Sequence, residues 1–168
     1  MSPSMETIRF RHAHFSARFP VGFLYSPSHY WMHPDVGAAS AAGDEMVWRV
    51  GFTKFATRML GELVEMVLDV SPGQEVHSGT RLGTVEGFKA VSDLLCAAEG
   101  TFVGANPALR AESCLTHSDP YVAGWLYAVR GRPEPQAIDV HGYVALLTET
   151  IDRLQASRYN DGPGGDES

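Results

Sequence analysis

From Glu62 to Val103 the chain is a succession of short apolar segments cut by turn formers, and this rhythm constrains the fold more than any other feature. Leu63, Val64, Met66, Val67 and Leu68 are followed by Ser71-Pro72-Gly73, then Val76, then Ser78-Gly79, then Leu82 and Val85. Strands this short and this close together must fold back on one another, which predicts antiparallel hairpins in a small sandwich or barrel. Leu94 and Leu95, Phe102 and Val103, and Trp125 to Val129 supply later strands, separated by Gly100 and the polar stretch from Asn106 to Asp119. The 17 glycines and 10 prolines of the chain fit the same turn-rich β-structure.

The remaining segments frame this β-unit. Residues 1–24 read as an N-terminal extension with one possible strand at Ile8 and Phe10, and Tyr25 to Trp31 as the first strand or loop of the main body. Asp35 to Gly43, rich in Ala, Gly and Ser, reads as a surface loop. Met46 to Phe52 carries Val47, Trp48, Val50 and Phe52 and predicts a strand. Thr53 offers a cap oxygen for a short helix through Phe55, Ala56, Met59 and Leu60, stopped by Gly61. Past Pro133 and Pro135, Tyr143, Leu146, Leu147, Thr150, Ile151 and Leu154 recur at spacings of three and four, predicting a terminal helix capped by Asp139. The Gly-, Asp- and Ser-rich residues after Arg158 are expected to be disordered.

Charge narrows the partners. Thirteen basic against 20 acidic residues leave a net charge of −7, which opposes a phosphate-tracking nucleic-acid surface and suits a basic protein partner. With 44% hydrophobic and 20% charged residues, the chain falls in the range of ordinary soluble domains, and its 168 residues fit one compact unit. The apolar runs are broken by charge before the ~20 residues a membrane span needs. Two cysteines, Cys96 and Cys114, make neither a disulfide framework nor a metal cage, so a reducing compartment is the default. Arg9, Arg11 and Arg18 give the N-terminus some likeness to an organellar transit peptide, but the strand-like alternation at Ile8 and Phe10 favours a cytoplasmic location.

One residue stands out chemically. Lys89 and Lys54 are the only lysines, beside 11 arginines, and Lys89 falls between two predicted strands, at a solvent-facing hairpin tip flanked by Phe88 and Ala90. By spacing alone it reads first as an ordinary surface lysine. Its surroundings carry more: the stretch from Glu86 to Gly100 resembles the lipoyl-attachment segment of the glycine cleavage H-protein family, ESVKA followed by SD, an apolar pair and a Gly eleven positions after the lysine. Glu86, Lys89, Ala90, Ser92, Asp93 and Gly100 occupy those places. YSPSHYW at 25–31 resembles the family's YxxxHEW, TKFATRMLGEL at 53–63 its internal helix, and DPYVAGWLYAV at 119–129 its DPYxxGWL.

This resemblance implies a barrel-sandwich hybrid of the biotinyl/lipoyl-carrier type: mainly β, two small antiparallel sheets, a short internal helix and a C-terminal helix. The implied division is an extension at 1–24, a lipoyl-carrier domain at 25–131, a linker and C-terminal helix at 132–158, and a tail at 159–168. It implies a carrier that catalyses nothing itself, with lipoate joined in amide linkage to Lys89, and with Glu86, Asp93 and Gly100 supporting the attachment motif. The implied partners are glycine decarboxylase, aminomethyltransferase and dihydrolipoamide dehydrogenase, together with the lipoate ligase or lipoyl/octanoyltransferase that installs the arm. Ser28, His29 and Tyr30 become candidates for a surface on which the arm docks, although His29 reads equally as a structural hydrogen-bonding histidine. Glu86 and Asp93 read evenly as docking carboxylates or as solvated strand-end acids.

The chain departs from the family pattern at three places: Tyr30 stands for the Glu after the His, Gly87 for the Ser two before the lysine, and Cys96 for an Ala. The first removes a carboxylate suited to a cationic arm, which leaves an alternative reading as an H-like lipoate carrier serving sulfur oxidation or lipoyl relay, or as an adaptor without cargo. Cys96 reads as a buried structural thiol ahead of a partner for dithiolane exchange. An enzyme in its own right finds no support: no CxxC pair accompanies the seven histidines, and no GxSxG or phosphate-binding Gly-rich loop occurs, so neither a metal site nor a catalytic residue is assigned.

Overall fold

A computed structural model of the chain describes residues 5–35 and 46–160. Beyond Asp35, the loop expected at 35–43 lies outside the described residues, as does the tail from residue 161. In chain order the elements are β1 (Thr7–His12), β2 (Phe15–Pro20), β3 (Leu24–Tyr25), β4 (Tyr30–Pro34), β5 (Met46–Phe52), α1 (Lys54–Leu60), β6 (Leu63–Leu68) and β7 (Glu75–Val76). They continue with β8 (Arg81–Gly87), β9 (Val91–Leu95), β10 (Ala98–Ala105), the single turns α2 (Ala108–Ala111) and α3 (Leu115–Ser118), β11 (Tyr127–Pro133), and α4 (Val140–Asn160).

The strands form a six-stranded antiparallel sheet in the order β3-β4-β5-β11-β10-β7 and a three-stranded one in the order β6-β8-β9. The two face each other as the barrel-sandwich hybrid. Side chains alternating inward from both sheets make the shared core, with Met32, Val50, Phe102 and Val129 from the larger and Leu82, Val85 and Leu94 from the smaller. The backbones come close where β10 pairs with β11. Gly100 lies opposite Gly131, and a Cβ at residue 100 would stand 2.0 Å from the Arg130 carbonyl oxygen. Gly100 is therefore a packing residue of the large sheet, while Lys89 belongs to a hairpin of the small one.

The local signals for α1 act as read: Thr53 Oγ1 accepts from the Ala56 N–H at 3.3 Å, and Gly61, at φ 82°, ends the helix. Asp139 caps α4 by accepting from the Gly142 N–H at 2.8 Å, and the helix continues through Asn160, two residues past the expected end.

The N-terminus differs from its reading in having two strands, β1 and β2, paired from Thr7↔Pro20 to His12↔Phe15. Ala13 and His14 make the turn, with Ala13 at φ 55°, and this dipeptide lacks the Asn-Gly or Asp-Gly signature that betrays a hairpin in sequence. Phe10, Phe15 and Phe19 of the hairpin join Phe23, Tyr25, Trp31 and Phe55 in a second core beneath α4. There Tyr143 stacks on Tyr25 (4.8 Å between centroids) and meets Phe19 edge-on (5.4 Å). Each fully buried ring contributes roughly 1.5–3 kcal/mol by leaving water, so the hairpin is held by side chains rather than by sheet continuity. Among the described residues, no helix is long and apolar enough to cross a membrane.

Candidate functional site

Lys89 occupies the β8–β9 turn, exposed, where Gly87 N–H donates to the Ala90 carbonyl at 2.9 Å and closes the hairpin. The tip is braced. Phe88 N–H donates to the Glu62 carbonyl (3.0 Å), Lys89 N–H to the Leu60 carbonyl (2.9 Å), and Lys89 Nζ to the Arg58 carbonyl (3.0 Å). The last carbonyls of a helix lack intrahelical partners and carry partial negative charge, so a hairpin that brings amides and an ammonium to the end of α1 satisfies both needs. Two glycines permit this approach: a Cβ at Gly87 would stand 2.3 Å from the Leu60 carbonyl oxygen, and one at Gly61 would stand 3.1 Å from Lys89 Cγ. The Gly87 departure noted in the sequence therefore sets how closely the tip lies against α1.

The flanking acids differ. Glu86 is exposed on β8 and lies directly opposite Glu65 of β6, a like-charged cross-strand pair that costs stability. Asp93 accepts from Arg81 Nε at 3.2 Å, and Arg81 also reaches Asp69 at 2.7 Å. Around the tip Phe88 and Val91 are strongly exposed, at 77% and 69%, large apolar side chains that make no core.

Beside the tip, on the β4 face of α1, lies a pocket of about 320 Å³ that begins at Ala90 and Ser92. Phe55, Met59, Ser28 and His29 continue its lining, and Tyr30 contributes to it. The three residues expected for a docking surface thus meet beside Lys89, in different roles. Ser28 is exposed. His29 sits at φ 74°, an uncommon conformation for a residue with a Cβ, and its Nδ1 is 2.8 Å from the Tyr143 hydroxyl, which is also 2.8 Å from Thr53 Oγ1. Burial pushes its pKa down to about 4, so the ring is neutral at physiological pH. Tyr30, which stands where the family has a carboxylate, is 4% exposed, stacks on Phe52 at 5.6 Å, and accepts the Leu95 N–H at 2.9 Å. At the start of β4, opposite Phe52 of β5, its side chain turns into the core.

His29 has a consequence for pH dependence. Because its folded pKa lies below the ordinary 6.5, acid protonates the unfolded chain first. The contribution of neutral His29 is complete above about pH 6.5 and is lost progressively as pH falls toward 4. Urea midpoints at pH 7 and pH 4.5 should therefore fall further apart for the natural chain than for His29→Gln; equal drops would show that His29 is not held neutral by the fold.

Cys96 is buried and donates to the Ala98 carbonyl at 2.9 Å, and burial pushes its thiol up to about 11, so it is a packed structural thiol. No group of three metal-ligating side chains occurs among the described residues. Sequence reading passed over Tyr143 and Thr53 as partners of His29, and Arg58 and Leu60 as partners of Lys89. Tyr143 carried only a helical-periodicity signal, and the Arg58 and Leu60 contacts are made by backbone atoms, which leave no trace in side-chain pattern.

Two facing antiparallel sheets with one lysine displayed at a braced hairpin tip define a barrel-sandwich hybrid of the carrier type. The sequence profile of the family described as "Glycine cleavage H-protein" matches residues 25–143. The glycine cleavage system H protein of Corynebacterium jeikeium is 36% identical over 126 residues, covering 75% of this chain and 94% of that one. That of Micrococcus luteus is 38% identical over 129 residues, with 75% and 94% covered. The crystal structure of a glycine cleavage system H protein from Mycobacterium marinum superposes with a TM-score of 0.64 at 35% identity, covering 76% of this chain and 97% of that one. The chain belongs to the glycine cleavage H-protein family.

Proposed function

We propose that this protein is the lipoyl carrier of a glycine cleavage system and catalyses no step itself, with lipoate joined in amide linkage to Lys89. One observation carries the reading: in a chain of this family, a primary amine stands exposed at a hairpin tip whose backbone is braced against α1. The site fits such an arm. The amine is accessible to a modifying ligase or transferase, the brace holds the tip in position, and a pocket opens at the next residues, Ala90 and Ser92. Lipoate supplies a disulfide that takes up the aminomethyl group of glycine with glycine decarboxylase, yields it to aminomethyltransferase, and is restored by dihydrolipoamide dehydrogenase.

The residues of the chain then divide the work. Ser28, neutral His29, Phe55 and Met59 offer a largely apolar wall that excludes water from a docked arm, with Tyr143 and Thr53 holding the imidazole. Glu86 serves as a docking carboxylate, a role supported by its exposure opposite Glu65, where it costs the fold stability; Asp93 positions the hairpin through Arg81. Gly100 supports the motif from a distance through the close pairing of β10 with β11. Tethering converts each later encounter into a quasi-intramolecular one, with effective concentrations reaching about the millimolar range.

Reconstitution with the three partner enzymes tests the reading. The lipoylated chain should support glycine-dependent NAD reduction, and the unmodified chain none. A fully lipoylated, natively folded chain without turnover would sink glycine cleavage and favour a carrier of sulfur oxidation or lipoyl relay.

A further inference from the structure

A second pocket, of about 470 Å³, lies on the opposite face of α1 from the one that begins at Ala90. One wall is the N-terminal strand β2 at Phe15, Ser16 and Ala17, residues outside the span 25–143 that matches the family. Lys89 itself lines this pocket, its Nζ drawn to that side by the Arg58 carbonyl. Both lysines of the chain are here. Lys54 Nζ donates to the His117 carbonyl at 3.0 Å, which fixes the ammonium and leaves two of its three N–H groups unassigned, and the Arg58 guanidinium lies 5.8 Å over the Phe15 ring.

The ionisable groups lining the pocket are Lys54 and Arg58 from α1, Glu62 from the corner after it, His117 from α3 and Lys89 from the tip; β2 contributes only the Ser16 hydroxyl. Once Lys89 is an amide, Lys54 and Arg58 face a single carboxylate, in a protein whose net charge is −7. The pocket on the β4 face is different. Its polar lining residues include Ser28, Ser92 and a neutral His29, with neither a carboxylate nor a cation in the lining.

We propose that the pocket walled by the N-terminal hairpin is a second resting place for the lipoyl arm on Lys89, selective for the reduced arm, whose sulfur is held there as thiolate by Arg58 and Lys54. The proposal rests on lipoylation of Lys89. A thiol entering the pocket gives its proton to water and keeps the electron pair; no other bond changes. Nearby lysine and arginine favour a thiolate over a thiol, and a ring such as Phe15 gives the carbon chain an apolar floor. An arm carrying a cation is repelled by the same groups and is left to the neutral pocket, so the charge on the arm's end decides its side of α1.

The test uses the full-length lipoylated chain, its arm reduced with a phosphine and alkylated with iodoacetamide across a pH series. Sulfur displaces iodide, and the product is read on the Lys89 peptide, apart from Cys96 and Cys114. The midpoint for the natural chain should lie about one pH unit below that of reduced lipoamide in solution. Arg58→Gln, exposed and preserving the carbonyl that Lys89 uses, should recover at least half of the shift, and Arg58→Gln with Lys54→Gln nearly all of it. Arg132→Gln, beside Glu99 on the large sheet, should leave the midpoint in place. Amide shifts of Ser16 and Ala17 should move when the arm is reduced. A midpoint equal to that of lipoamide, or one moved as much by Arg132→Gln as by Arg58→Gln, overturns the proposal. An unmodified Lys89 in the intact mass overturns the carrier reading itself, which separates the two failures.

Discussion

Lys89→Ala should abolish lipoylation completely and leave the fold intact. Co-expression of the natural chain with a lipoate ligase should add the mass of one lipoyl amide, mapped to the peptide containing Lys89, and the alanine variant should show none. Lys54 does not replace it, because its ammonium is half-buried against the His117 carbonyl while the amine of Lys89 stands exposed at a turn. The cost to stability is small: an exposed bond to the Arg58 carbonyl is lost, and surface changes of this kind stay within ~0.5 kcal/mol. Lys89→Arg sharpens the result, since it keeps a cation at the end of α1 but offers no primary amine. Modification of Lys54, or lipoylation of the alanine variant, would refute the assignment.

The second large effect is on folding. Tyr30→Glu, which restores the residue of the family motif, should destabilise the chain by about 3–5 kcal/mol, from lost aromatic packing and a carboxylate without a partner in the core. The ring is 4% exposed, lies against Phe52, and satisfies the Leu95 N–H with its hydroxyl, whose pKa burial pushes up to about 12. Against a typical stability of about 5–15 kcal/mol, such a loss is a large fraction of the total. Tyr30→Phe, which removes only the hydroxyl, should cost about 1 kcal/mol. Urea unfolding at pH 7 measures both; a midpoint unchanged by Tyr30→Glu would mean that the ring is not part of the core. Restoring the family carboxylate at this position therefore carries a large cost to the fold.

The β-rich body was legible because its signals are local. The turns at Ser71-Pro72-Gly73 and Ser78-Gly79, the Thr53 cap, the Gly61 stop and the stripe of α4 each lie within a few residues of the structure they specify. The N-terminal hairpin was half legible. Ile8 and Phe10 showed strand alternation, but the turn at Ala13 and His14 carries no glycine or asparagine, and what holds β2 is a set of phenylalanines packed under a helix more than a hundred residues away.

The sequence by itself determined the hairpin on which Lys89 stands, the short helix before it, and the family to which the attachment segment points, because turn chemistry, capping and motif spacing act over a few residues. The tertiary structure alone decided where the lysine points, which residues wall it on either side, and that Tyr30 faces inward. Those outcomes depend on contacts between Lys89 and Arg58, 31 residues apart, and between His29 and Tyr143, 114 apart. Backbone carbonyls at a helix end and rings from distant segments meet only when the sheets close, so no local pattern encodes them.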